Sequence, residues 1–342
     1  MVVKVLFVRQ YPEKDRIYDF LTTLKSKDID LYEHHNLDDI DFNFFDFIIF
    51  DYREPSYVNT FEWEILNFKG KMVFTVLSDS GDFEYEELLD TILDRIDCWI
   101  LLQANEKSFE KRNYNYKNKY VLIPRFTHQN IENHLIEPEY NKKINKIVFI
   151  GRSTGGYSFN GKNYRVEGLK KIYNNSFLRN NFWGVLCDDE ILDTDYQDIE
   201  YNKTFVYSNK DFWLTPSQWH EMLFANTLNL AITGHTKFGY RHPVSLATKN
   251  VMVGTFDFTN DPYKWLFSEH FNDISYQVKE DFSDFEEVLI EALNNRERTK
   301  HYAFKGYYLY KKYYELNPDN SYKDHIWKIV EEQFNKIGIE FY

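Results

Sequence analysis

Cysteine is almost missing from this chain. Its 342 residues hold two, Cys98 and Cys187, far apart and each inside an apolar run. Neither a disulfide framework nor a metal site of regular ligand spacing is indicated. No stretch approaches the roughly 18 consecutive apolar residues that a bilayer-spanning helix needs. The start, Met1-Val2-Val3-Lys4, runs directly into a strand-like segment. It lacks the basic stretch, hydrophobic run and small-residue cleavage site of a secretory leader, so the expectation is a cytoplasmic protein. Positive charge is also short: 41 Lys and Arg stand against 54 Asp and Glu, a net charge of −13. Phosphate backbones and anionic lipid repel such a chain, which argues against a general nucleic-acid or membrane-surface protein. A local basic pocket for a nucleotide is compatible with that balance. Short-period repeats and low-complexity tracts are absent, which sets aside solenoid architectures.

What is present is material for two ordinary domains. The hydrophobic fraction of 43% is enough for two cores. The 30 Phe and 27 Tyr accompany abundant Lys, Asn and Ile, the mark of an AT-rich genome, so the aromatic excess carries little functional weight. In the first half, Lys4–Val8, Phe47–Phe50, Lys71–Leu77, Cys98–Leu102 and Tyr120–Ile123 read as buried strands. Residues 15–25 and 86–96 have helical spacing. Strands alternating with helices imply βα units on a parallel sheet. Residues 132–146 are polar and read as a linker. A second set follows, with strands at Ile147–Ile150, Phe182–Leu186, Leu228–Ile232 and Asn250–Gly254. An amphipathic helix is expected at Ser283–Leu293, and a helical tail from Arg296 to Phe334 broken near Pro318. The expected organisation is a Rossmann-like domain over 1–135, a second over 146–310 and a helical tail over 311–342. Two such domains would place a cleft between them, and residues just after each strand are the first candidates for chemistry.

The sharpest local pattern follows the strand at 147–150: Gly151-Arg152-Ser153-Thr154-Gly155-Gly156, then Asn163-Tyr164-Arg165 and an amphipathic segment. Glycines let backbone N–H groups approach an anion, and arginines neutralise phosphate with planar forks of donors. The loop matches neither a Walker A loop nor a dinucleotide fingerprint, and taken alone it reads equally well as a flexible strand–helix turn. A second pattern supports it. The strand at 228–232 leads through Gly234-His235-Thr236 and Phe238-Gly239-Tyr240 to Arg241, which is expected to open a helix with Pro243 near its start. A helix start beside an arginine suits an anion. For Arg241 the plainer alternative is a surface salt bridge, and for His235 a turn hydrogen bond. Trp213, Trp219, Phe238 and Tyr240 could stack on a base or sugar, although aromatics are so frequent here that core packing is the stronger reading of each.

These segments resemble the protein O-glucosyltransferase and capsule-associated family, glycosyltransferase family 90. The similarity lies in VFIGRSTGG through Arg165, in Gly234 through Tyr240-Arg241 followed by NVMVG, and in DPYKWL, His270, Ile274-Ser275-Tyr276 and Glu280–Phe285. It covers about residues 147–310. The usual opening order of Arg and Gly is swapped at Gly151-Arg152, and the exostosin-like group shares a similar C-terminal pattern. The resemblance implies a GT-B arrangement of two Rossmann-like domains facing across a cleft. It implies a nucleotide-sugar donor, UDP-linked by expectation, held by Arg152, Ser153, Thr154, Gly155, Arg165, Gly234, His235, Tyr240 and Arg241. It also implies no metal and no cofactor, an inverting transfer, and a glycan, lipid-linked or protein acceptor.

A single displacement needs a base on the acceptor hydroxyl. Asp79 and Asp82 follow the third strand in Ser78–Asp82, and Asp51 ends the second. Each reads equally as a helix cap or loop acid. Glu280–Asp284 could bind donor hydroxyls, or cap the helix that follows. Two other functions fit the same cleft: a nucleotide-sugar-binding protein without catalysis, and a nucleotide-sugar epimerase.

Overall fold

The computed structural model describes residues 3–8, 29–34, 37–38, 40–51, 55–76, 88–102, 120–123, 138–151, 158–159, 162–188, 206–208, 216–232, 241–255 and 270–313, with single helical positions at 328, 331, 332 and 335. The chain divides into two compact units. One comprises Met1–His128 together with Tyr313–Tyr342, the other Gln129–Lys312.

The first unit is built on six parallel strands: β1 (Val3–Val8), β2 (Ile29–His34), β3 (Phe47–Asp51), β4 (Lys71–Val76), β5 (Cys98–Leu102) and β6 (Tyr120–Ile123). Their order is β2-β1-β3-β4-β5-β6, which reverses between β1 and β3. Apolar runs such as VLFV and FIIF are buried throughout, as strands covered on both faces require. Leu6, Ile48, Phe50, Met72 and Trp99 share one core with Val58, Ile65 and Ile92. Those three belong to helices α1 (Pro55–Asn59), α2 (Glu62–Asn67) and α3 (Asp90–Arg95).

Two expectations change in this unit. Strand β2 was not anticipated. It lies at the sheet edge, pairs with β1 and carries Asp30 and Glu33 within six residues, so it shows no continuous apolar run. The helix expected over 86–96 begins only at Asp90. Leu89 is extended, with ψ 138°, and its amide donates to Asn59 Oδ1 at 3.1 Å. The helix expected over 15–25 lies outside the described residues.

The second unit carries β7 (Ile144–Gly151), a short antiparallel hairpin of β8 (Ser158–Phe159) and β9 (Lys162–Asn163), then β10 (Phe182–Asp188), β11 (Val206–Ser208), β12 (Asn226–Ala231), β13 (Val251–Gly254) and β14 (Ser275–Gln277). Its helices are α4 (Tyr164–Asn174), α5 (Ser176–Asn180), α6 (Pro216–Ala225), α7 (Arg241–Ala247), α8 (Phe285–Asn294) and α9 (Arg296–Tyr313). The parallel sheet runs β11-β10-β7-β12-β13-β14. With its strands renumbered from β7, leaving out the hairpin, this is the Rossmann order 3-2-1-4-5-6, and it reverses between β7 and β12. The core joins Phe149, Leu228, Leu230 and Val253 to Leu169 and Ile172 of α4, Leu289 of α8 and Tyr302 of α9.

The end of the expected linker is strand. Ile144, Asn145 and Lys146 belong to β7, where the register with β12 shifts. Polar Asn145 is accommodated because its amide donates to the Leu293 carbonyl at 2.7 Å and its oxygen accepts from Thr227 Oγ1 at 3.0 Å. Of the expected helical tail, α9 covers Arg296–Tyr313; the break expected near Pro318 lies outside the described residues. Strands β11 and β14, three residues each, are too short to give a periodic signal.

Candidate anion-binding site

The reversal between β7 and β12 puts two βα units side by side. β7 ends on Gly151, and Arg165 stands in the first turn of the helix that comes next, α4. β12 is followed by α7, which opens on Arg241. Ligands of open parallel sheets occupy this position, beyond the carboxyl ends of the strands at the point where their order turns.

The three residues converge. A Cβ placed on Gly151 would lie 3.4 Å from Arg241 Nη2 and 3.0 Å from Phe149 Cζ. The Arg241 guanidinium carbon stands 5.0 Å from the centre of the Phe149 ring, a cation–π contact. Both arginines are half-buried as residues, yet Nη1 of Arg241 and Nε of Arg165 are shut off from solvent. Burial, and then the neighbouring positive charge of Arg165, pull the Arg241 pKa down to about 9. The guanidinium still carries its proton at neutral pH, so the shift measures how costly two close, poorly hydrated positive charges are. Each arginine also sits at the positive end of a helix, where a cation is disfavoured. A bound anion relieves all of these repulsions at once.

The start of α4, which carries Arg165, is fixed by packing. Tyr164 stacks on Phe282 with ring centres 4.9 Å apart and planes at 19°. Gly168 lets α4 lie close, since a Cβ there would meet Ile232 Cδ1 at 2.6 Å. Phe282 has φ 58°, a left-handed turn held by its flanking acids. Asp281 accepts from the Ser283 amide at 2.9 Å, and Asp284 from the Lys279 amide at 2.9 Å. Hydrogen bonds from Ser283 hold the Asp281 carboxyl below its ordinary range. Asp284 stands at the N-cap position of α8 without making the capping bond. The acids at 281 and 284 therefore tie their own loop together.

Of the residues expected from sequence to form the site, Arg165 and Arg241 are brought together. Arg152, Ser153, Thr154, Gly155, Gly234, His235 and Tyr240 lie outside the described residues, as do Asp79 and Asp82. Asp51 is described as the last residue of β3, by its backbone alone. Phe149 was read only as a strand residue. The signal that could have singled it out is an aromatic two positions before a glycine, on the same face of the strand. Among the described residues no three His, Cys, Asp or Glu side chains converge to hold a metal ion, and no helix is long and apolar enough to cross a membrane.

Two Rossmann-like parallel sheets define the class: the chain has the GT-B fold of glycosyltransferases. The solved structures it resembles make this concrete. An alpha-glucosyltransferase in complex with UDP and a 13-mer DNA aligns with TM-score 0.61 at 12% identity, over 99% of this chain and 100% of that one. HepE of Anabaena in complex with UDP-glucose aligns with TM-score 0.55 at 11% identity, over 96% of this chain and 99% of that one. TarM of S. aureus, in complex with Fondaparinux, alpha-GlcNAc-glycerol and UDP, aligns with TM-score 0.52 at 13% identity over 86% of this chain. The chain spans about half of TarM, 55% of its length. No described protein family and no curated protein sequence matches the chain.

Proposed function

We propose that this protein is a glycosyltransferase that takes a sugar from a UDP-sugar donor and transfers it to a glycan, lipid-linked or protein acceptor. The observation that carries the reading is the convergence of Arg165 and Arg241 on the Gly151 end of β7, at the switch point of a GT-B second domain. Two desolvated guanidinium groups suit a diphosphate, which leaves with an added negative charge when the glycosidic bond breaks. Arg152, the loop through Ser153, Thr154 and Gly155, and the turn of Gly234, His235 and Tyr240 are assigned to the same donor. HepE and the alpha-glucosyltransferase, crystallised with UDP-glucose and UDP, support the choice of nucleotide.

The arginines take the role that a divalent cation plays in other transferases, so the reaction is assigned as metal-independent, without a further cofactor. The net charge of −13 disfavours a nucleic-acid acceptor. An inverting displacement needs a base from the first domain. Asp79 and Asp82, close after β4, and Asp51, the last residue of β3, are the candidates, with Asp79 preferred to Asp82 because it follows the strand more directly. Replacing the true base by Asn should lower turnover about a hundredfold or more and leave donor binding nearly intact.

Calorimetry of UDP binding tests the site. Arg165→Ala and Arg241→Ala should each weaken binding roughly tenfold or more, from the loss of a charged hydrogen bond of about 1.5–3 kcal/mol. Unchanged affinity in both would place the donor elsewhere. Proton NMR of the product tests the chemistry. A β-linked sugar from an α-linked donor supports inversion. An α-linked product removes the need for a base on a single displacement, and with it the role given to Asp79.

A further inference from the structure

We propose that Asn229 is a positioning residue that sets the place of Arg241 through Ser245; this rests on the reading of Arg241 as a diphosphate ligand. Asn229 lies in the middle of β12 and is 1% exposed. Its register neighbours are Val148 on β7 and Met252 on β13, both buried. An amide in an apolar row costs stability unless it is fully hydrogen-bonded. Asn229 is only half satisfied. Its Nδ2 donates to Ser245 Oγ at 2.7 Å, while its buried Oδ1 has no hydrogen-bond partner among the described residues.

Ser245 passes the contact on. Its hydroxyl donates to the main-chain carbonyl of Arg241 at 2.7 Å. A hydroxyl has one proton, so with that proton on the carbonyl, Oγ can only accept from the strand. An asparagine amide supplies the donor. The chain β12–Asn229–Ser245–Arg241 thus ties the first turn of α7 to the centre of the sheet. A seven-residue helix with proline at its third position has few hydrogen bonds of its own to hold that turn. Stability alone would favour an aliphatic residue in this row. Orientation of Arg241 accounts for the amide.

The test is UDP calorimetry on four proteins: wild type, Asn229→Leu, Arg241→Ala and the double variant. Asn229→Leu should fold, melt no lower than wild type, and bind UDP roughly fivefold more weakly, in the range of couplings between residues in contact. Added to Arg241→Ala it should change affinity less than about twofold, because the residue it positions is gone. An equal loss in both backgrounds marks a general structural effect and overturns the proposal, as does no loss in the wild-type background; either outcome leaves the Arg241 reading standing. Unchanged UDP affinity in Arg241→Ala overturns both. Ser245→Ala breaks the same chain with a smaller change and must show the same background dependence. Should Asn229→Leu fail to fold, Ser245→Ala decides the matter alone.

Discussion

A glycine and two arginines carry the chemistry proposed for this chain, and each is constrained by what touches it. Gly151 is tightly packed: a methyl group there would crowd the Phe149 ring at 3.0 Å, against which Arg241 lies, and would touch Arg241 Nη2 at 3.4 Å. Gly151→Ala should therefore displace the guanidinium and weaken UDP binding several-fold, with a smaller change in melting temperature; equal UDP titration curves for variant and wild type would refute this. Arg241→Lys is a second probe. It keeps the charge and discards the planar fork, and ammonium does not replace a two-pronged contact. Its UDP affinity should lie near that of Arg241→Ala. If lysine instead restores wild-type affinity, the site needs charge alone.

At the scale of elements, the join between α6 and β12 shows how the sequence disposes of a buried cation. Lys143 is 5% exposed. Its ammonium donates to the carbonyls of Leu223, Phe224 and Asn226 at 2.8, 2.7 and 2.9 Å. It uses all three protons to close the C-terminus of α6, where a cation is favoured. Burial, and then the charge of Lys249, pull its pKa down to about 7. The sign follows from linkage. The folded pKa lies below the unfolded value of 10.5, so the charge burden is full below pH 7 and is relieved as pH rises from 7 to 10.5. Stability should increase over that window, by at most about 1.4 kcal/mol per pH unit. Urea melts at pH 6.5, 8 and 9.5 should show this rise in wild type and its loss in Lys143→Met. That variant should also be less stable at every pH, since three carbonyls lose their donor.

At the scale of the molecule, all residues of the proposed donor site belong to the unit Gln129–Lys312. A ligand stabilises the part that binds it, by about 2.7 kcal/mol at one hundred times its dissociation constant. Hydrogen exchange with saturating UDP should slow the amides of Gly151, the start of α4 and α7, and leave the strands β1 to β5 unchanged. Protection confined to the first unit would assign the nucleotide to the other sheet.

The two parallel sheets are legible in the order of residues. The strands at Cys98–Leu102 and Tyr120–Ile123 were legible to the residue, because each is a short, plain apolar run in the sequence with polar residues around it. Helix α7 opening on Arg241 was legible for a similar reason, with a glycine-containing turn before it and proline just inside. Edge strand β2 escaped because Asp30 and Glu33, three positions apart, break both the apolar run and any period of two. Which residues meet is a matter of how the strands assemble. Seventy-six positions separate Arg165 from Arg241, and it is the reversal of strand order between β7 and β12 that sets them beside one another. The packing of α7 on β12 likewise sets Asn229, a polar residue in an apolar strand, against Ser245. A one-dimensional pattern records how each segment folds on itself. The order of strands in a sheet is set by long-range packing, and the charges that converge on Gly151 exist only once that order is complete.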